Sequence, residues 1–91
     1  MRSLLITRRT VPLDRLDEYT ETWAAFCAAA AAHGCRTWMF RRSGHEDRFV
    51  EFLEWTGESP LESDDVSAAL LELDGCGAPQ DADLWEEASL A

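Results

Sequence analysis

The sequence has no lysine and no asparagine, and no basic residue follows Arg48. All eight cations are arginines between Arg2 and Arg48, and residues 1–50 set them against six acids. Residues 51–91 hold twelve acids and no base, so the net charge of −10 comes from the second half. A half-chain that is purely acidic repels phosphate backbones, which excludes nucleic acid as a natural partner. An anionic membrane surface is disfavoured for the same reason. The asymmetry need not mark a separate domain, because Arg8, Arg9, Arg41 and Arg42 can face second-half acids after folding. An acidic surface that keeps the protein soluble is the simpler reading.

Other absences narrow the classes further. Cys27, Cys35 and Cys76 are odd in number and form no C-x-x-C pair, so neither a disulfide framework nor a structural zinc site is expected. The plain expectation is three reduced, partly buried thiols. His33 and His45 each neighbour a glycine and have no second ligand at metal spacing, so no metal is expected. The only apolar run near the start is Leu4–Ile6, too short for the hydrophobic core of a signal peptide. No stretch approaches the roughly 20 apolar residues that cross a bilayer, and the default compartment is cytoplasmic. Neither a repeat nor a low-complexity linker interrupts the chain, which reads as a single domain over residues 1–91. At about this size roughly 60% of the unfolded surface is buried on folding, so a partner chain would add considerably to a small core.

What the sequence has in supply is aromatic: four Trp and four Phe, with one Tyr. The stretch "DRFVEFLEWTGE" (Asp47–Glu58) reads as a strand with apolar side chains on both faces. Phe49, Leu53 and Trp55 point one way, and Val50 and Phe52 the other. A first strand, "SLLITRRTV", precedes it and ends at Pro12. Leu13, Leu16, Tyr19, Trp23, Phe26 and Ala30 then recur at helical spacing, predicting a helix over residues 13–33 that Gly34 stops. Asp14, Asp17, Glu18 and Glu21 suit the positive end of its dipole.

"CRTWMFRR" is a second strand, and "SGHE" turns it into the third. Pairing Arg42 with Asp47 across that turn sets Phe40 opposite Phe49. That register puts Trp38, Phe40, Phe49, Glu51, Leu53 and Trp55 on one face, with Met39, Val50 and Phe52 on the other. "SDDVSAALLELDG" predicts a second helix with Ser63 as N-cap and Gly75 beyond its end. The tail "DADLWEEASLA" alternates at Leu84, Glu86, Ala88 and Leu90 as a strand does, but Leu84, Trp85 and Ala88 also suit a helix.

Strand, helix, strand, strand, helix and a final strand make the ferredoxin-like βαββαβ order, an α+β class with an antiparallel sheet and both helices on one face. The other face is apolar as well. A second copy is expected to cover it, two sheets forming a dimeric α/β barrel with two-fold symmetry.

Strand "LLITRRTV", helix "DRLDEYTETWAAFCAAAAAHG" and hairpin "TWMFRRSGHEDRFVEFLEWTGE" resemble the dimeric α/β-barrel superfamily, particularly the small antibiotic biosynthesis monooxygenases. "RFVEFLEW" is similar to that family's third strand, which commonly ends in an acid and a Trp. The resemblance implies a homodimer and, in each subunit, a pocket between sheet and helices. Relatives use such pockets for cofactor-free oxidation of aromatic polyketides, for haem degradation or for isomerising small lactones. The haem-degrading relatives depend on an Asn, and on a His of the second helix, neither of which this chain has.

Two function classes follow. One is a small dimeric module that binds an apolar or aromatic ligand without catalysis. The other is a cofactor-independent monooxygenase or isomerase, with no cofactor required in either case. Tyr19, Trp23, Trp38, Phe40 and Trp55 are the candidate ligand-binding residues, although aromatic residues at such spacing are more often plain core. For catalysis, a base must take a proton from a phenol or dicarbonyl, so that the electron-rich anion reacts with oxygen. Glu51 is the candidate, since burial among aromatic rings raises a carboxyl pKa toward a useful range. His33 and Tyr19 are weaker candidates. The competing and preferred reading of Glu51 is an ion pair with an arginine of the first or second strand.

Overall fold

The computed structural model describes residues 1–89. Strand β1 (Arg2–Thr10) leads through a 3-10 turn (Leu13–Arg15) into helix α1 (Leu16–Ala32). Strands β2 (Arg36–Arg41) and β3 (Arg48–Thr56) form a hairpin, and a second 3-10 turn (Pro60–Glu62) precedes helix α2 (Asp64–Cys76). Strand β4 (Pro79–Glu86) closes the order. The sheet runs β2-β3-β1-β4 with antiparallel neighbours throughout. This is the ferredoxin-like α+β arrangement, and the ambiguous tail is a strand as far as Glu86. Leu90, part of the alternation seen there, lies outside the described residues.

Helix α1 occupies the predicted segment, with its first turn wound tighter. At its end Gly34 takes φ of +76°, where a side chain is unfavourable. Cys35 N–H donates to the Ala30 carbonyl and Gly34 N–H to that of Ala31, the paired bonds of a Schellman stop. Helix α2 differs at both ends. Ser63 stands at its N-cap without a side-chain bond, and the helix runs through Gly75 to Cys76. Ser59 is the serine whose hydroxyl caps, accepting from Leu61 N–H at 3.2 Å at the preceding turn.

The hairpin register is one residue away from the expected one. Met39 lies opposite Glu51, Phe40 opposite Val50 and Trp38 opposite Phe52. A one-residue slip exchanges the faces of a strand. Trp38 and Phe40 therefore share a face with Val50 and Phe52, while Met39 joins Phe49, Glu51, Leu53 and Trp55. The physical reason is at the turn: Asp47 does not pair with Arg42, because its carbonyl accepts from Val11 N–H at 2.8 Å. Arg42 N–H instead donates to the Arg48 carbonyl at 2.8 Å, which sets the pairing.

Both helices cover the face that holds Leu5, Thr7 and Arg9 of β1. The core there comprises Val11, Tyr19, Phe26, Ala30, Leu53, Trp55, Val66, Leu73 and Cys76. The opposite, outer face shows Leu4 and Ile6 of β1, Val50 and Phe52 of β3, Trp38 and Phe40 of β2, and Trp85 of β4. Trp38, Phe40 and Trp85 are 40%, 58% and 57% exposed, so nothing among the described residues covers this face.

Candidate functional site

Under the helices sits a buried polar cluster that strand alternation brings together. Thr7 and Arg9 on β1 and Glu51 on β3 all point toward the helices, and Thr7 lies directly opposite Glu51. Arg9 is 1% exposed and Glu51 4% exposed, so their charges must be satisfied inside the protein. They form a bidentate pair: Arg9 Nε donates to Glu51 Oε2 at 2.9 Å and Nη2 to Oε1 at 3.1 Å. Arg9 Nη1 donates to Asp74 Oδ1 on α2 at 2.8 Å and to the Gly77 carbonyl at 2.7 Å. Tyr19, from α1, donates its hydroxyl proton to Glu51 Oε2 at 2.5 Å.

The electrostatics follow from these contacts. Burial alone would lower the Arg9 pKa, but hydrogen bonds to Glu51 and Asp74 with their charges outweigh it and raise the pKa overall. Burial, then the Glu51 charge and hydrogen bond, push the Tyr19 phenol far above its ordinary value. Tyr19 is thus a fixed donor at neutral pH. Both Glu51 oxygens are engaged, by one guanidinium and one phenol. The ion pair with a first-strand arginine, the preferred reading of Glu51, is the arrangement found.

The ligand-binding candidates separate. Tyr19 and Trp55 are buried in the core. The Tyr19 ring lies against Phe49 at 4.9 Å between centroids, and half-buried Trp23 stacks on Phe26 at 5.4 Å. Trp38 and Phe40 are on the outer face, with Phe40 edge-on to Phe52 at 5.9 Å, and so do not share a site with Tyr19 or Trp23. Clefts open at the arginine-rich end of the sheet and, beside the end of α1, around Arg2, His33, Trp55 and Glu58.

His33, a weaker catalytic candidate, joins the elements instead: its Nε2 lies 3.0 Å from Asp65 Oδ1, tying the end of α1 to the start of α2. That hydrogen bond holds the Asp65 carboxyl below its ordinary value. Cys27, Cys35 and Cys76 are free thiols, and burial pushes Cys35 up. Among the described residues no group of three His, Cys, Asp or Glu is placed to hold a metal ion. No helix among them is long and apolar enough to cross a membrane. Sequence reasoning missed Asp74 as a partner of Arg9. Its signal was the doublet Arg8–Arg9, since adjacent strand residues face opposite sides and one of the two had to enter the protein.

No family model matches the chain, and no curated protein is similar to it in sequence. Solved structures are similar in shape. SnoaB, a cofactor-independent oxygenase from Streptomyces nogalater, is 16% identical, with a TM-score of 0.80 over 97% of this chain and 94% of that one. The fold is shared with the antibiotic biosynthesis monooxygenase-like proteins. A putative member from Caulobacter crescentus is 14% identical, with a TM-score of 0.77 over 97% of this chain and 91% of that one. A conserved protein from Methanosarcina mazei Go1 reaches a TM-score of 0.81 at 12% identity, covering 97% of this chain and 94% of its own. The fold expected from the sequence is therefore matched over nearly the whole chain.

Proposed function

We propose that the chain works as a homodimer, its two sheets packed outer face to outer face, and serves as a binding module for a small aromatic ligand without turning it over. The observation that carries the dimer is the outer face, where Leu4, Ile6, Val50, Phe52, Trp38, Phe40 and Trp85 have no element packed over them among the described residues. A monomer rarely leaves so continuous an aromatic patch in water. An identical copy related by a two-fold axis presents the same patch in return. Non-catalytic binding is supported by the interior: Tyr19 already donates to Glu51 Oε2, where a substrate phenol would have to place its proton. Phe52→Asp tests the dimer, because burying an unpaired carboxylate there opposes association. Gel filtration with light scattering should show this variant at half the native mass, whereas Leu71→Asp, on the exposed side of α2, keeps the native mass. An undiminished dimer in Phe52→Asp would overturn the reading.

A second reading is favoured by the full-length likeness to a cofactor-independent oxygenase. In it, Tyr19 swings away, a substrate phenol takes its place, and Glu51 accepts the phenolic proton before the anion meets oxygen. Oxygen uptake with hydroquinone that is abolished by Glu51→Gln, while folding is retained, would establish this activity. No uptake above the buffer rate would leave binding alone.

A further inference from the structure

The arginine-rich end of the sheet holds a cleft of about 510 Å³, within the range of small-molecule sites. Arg8, Arg41, Arg42 and Arg48 line it, together with Phe49 and Val50. We infer that this cleft binds a small organic acid, a carboxylate on a flat apolar body.

The charge distribution carries the inference. Away from the cleft Arg2 pairs with Glu87 and Arg15 with Glu18, and buried Arg9, which also reaches the cleft, pairs with Glu51 and Asp74. Of the exposed arginines at the cleft only Arg8 has a partner, Asp81 at 3.7 Å, and both are well exposed. Among the described residues Arg41, Arg42 and Arg48 have no carboxylate within ion-pair distance, although Glu46 and Asp47 are close to them in the chain. Arg42 and Arg48 are also direct neighbours across the hairpin, joined through the Arg42 N–H and the Arg48 carbonyl. Like charges set opposite each other are unfavourable, and an anion between them removes the repulsion. In a protein of net charge −10, such a concentration of unpaired cations is local.

The chemistry of the lining selects the anion. Guanidinium forks match a carboxylate in bidentate geometry, and two or more of them can share one. The apolar part of the lining selects the body. Phe49 and Val50, successive residues of β3, give the cleft apolar surface on either side of the strand end. Inorganic phosphate would satisfy the arginines but make no use of that surface, whereas an aromatic acid uses both. A polynucleotide is opposed by the twelve acids of the second half. Val50 also belongs to the outer face that the proposed dimer covers, whereas the arginines and Phe49 lie at the end of the sheet, so site and dimer are tested separately.

Isothermal titration with 2-naphthoate tests it, with the neutral 2-naphthamide and inorganic phosphate as comparisons. Naphthoate should bind saturably, and the double variant Arg42→Gln/Arg48→Gln should weaken it by about tenfold or more, as expected for lost charge-assisted hydrogen bonds. Naphthamide should bind about tenfold more weakly than naphthoate, and phosphate more weakly still. Arg36→Gln, an arginine away from this cleft, should leave binding unchanged. The inference is overturned if naphthoate shows no heat at millimolar concentration, if the double variant binds it equally, or if phosphate binds as tightly. Light scattering on the same samples separates this from the dimer. If the double variant loses both binding and its native mass, these arginines belong to the interface and the site falls.

Discussion

Arg8 and Arg9 are adjacent in the chain yet end in opposite surroundings, one in solvent and one beneath the helices. Removing one partner of a buried ion pair strands the other, which is why such pairs are costly to break. Tyr19 offers a gentler probe of the same cluster. Tyr19→Phe deletes one donor to Glu51 and should lower stability by about 1.5–3 kcal/mol at neutral pH, the range for hydrogen bonds to charged groups. Urea denaturation measures it. The pH dependence has a definite sign. The folded phenol titrates above its ordinary value of 10.0, so its stabilisation is complete below pH 10 and is lost as pH rises further. The stability gap between native protein and Tyr19→Phe should therefore narrow above pH 10. A gap that is constant or widens there would mean that Tyr19 is not a buried donor.

At the scale of elements, the exit from α2 passes close against the end of β1. A Cβ on Gly77 would collide with the Thr10 carbonyl oxygen and lie 3.1 Å from the Val11 Cα, both of them backbone atoms that cannot swing aside. Gly77→Ala must push β4 away from the end of β1 and should cost about 1–3 kcal/mol, as overpacking does elsewhere. An unchanged thermal midpoint would contradict this packing. Much of the element order was legible in the sequence, because periodicity is strong where one face meets a core. Tyr19, Phe26 and Ala30 recur on α1 as the spacing required, and all three are buried. The hairpin register was not legible. With Trp38 and Phe40 on β2 and with Phe49 and Phe52 on opposite faces of β3, either register pairs rings, and the deciding contact is Asp47 with Val11, a backbone bond that leaves no mark in composition. That single step decides the candidate site as well, since it moves Trp38 and Phe40 away from Tyr19. Glu51 could be placed on the helix side from alternation alone, but its engagement by Arg9 depends on how β1 pairs with β3.

Across the whole molecule, the charge asymmetry seen in the sequence becomes partly internal and partly local. Arg9 meets second-half acids inside the fold, Arg2 and Arg8 meet them at the sheet surface, and the rest of the positive charge gathers mainly at one end. With net charge −10, DNA and RNA should not bind at physiological salt, despite that arginine-lined end. A salt-sensitive gel shift below about micromolar would contradict it, since such affinity takes several phosphate contacts. The outer sheet face is the larger feature. The proposed dimer turns the apolar pattern on both sides of β3 from an oddity of sequence into a requirement for a partner, met by a second copy of the same chain.

Light scattering coupled to gel filtration of the native protein at micromolar concentration tests that requirement most directly. The account predicts about twice the 10.2 kDa chain mass. A clean peak at 10.2 kDa would leave Trp38, Phe40 and Trp85 in water and would contradict it.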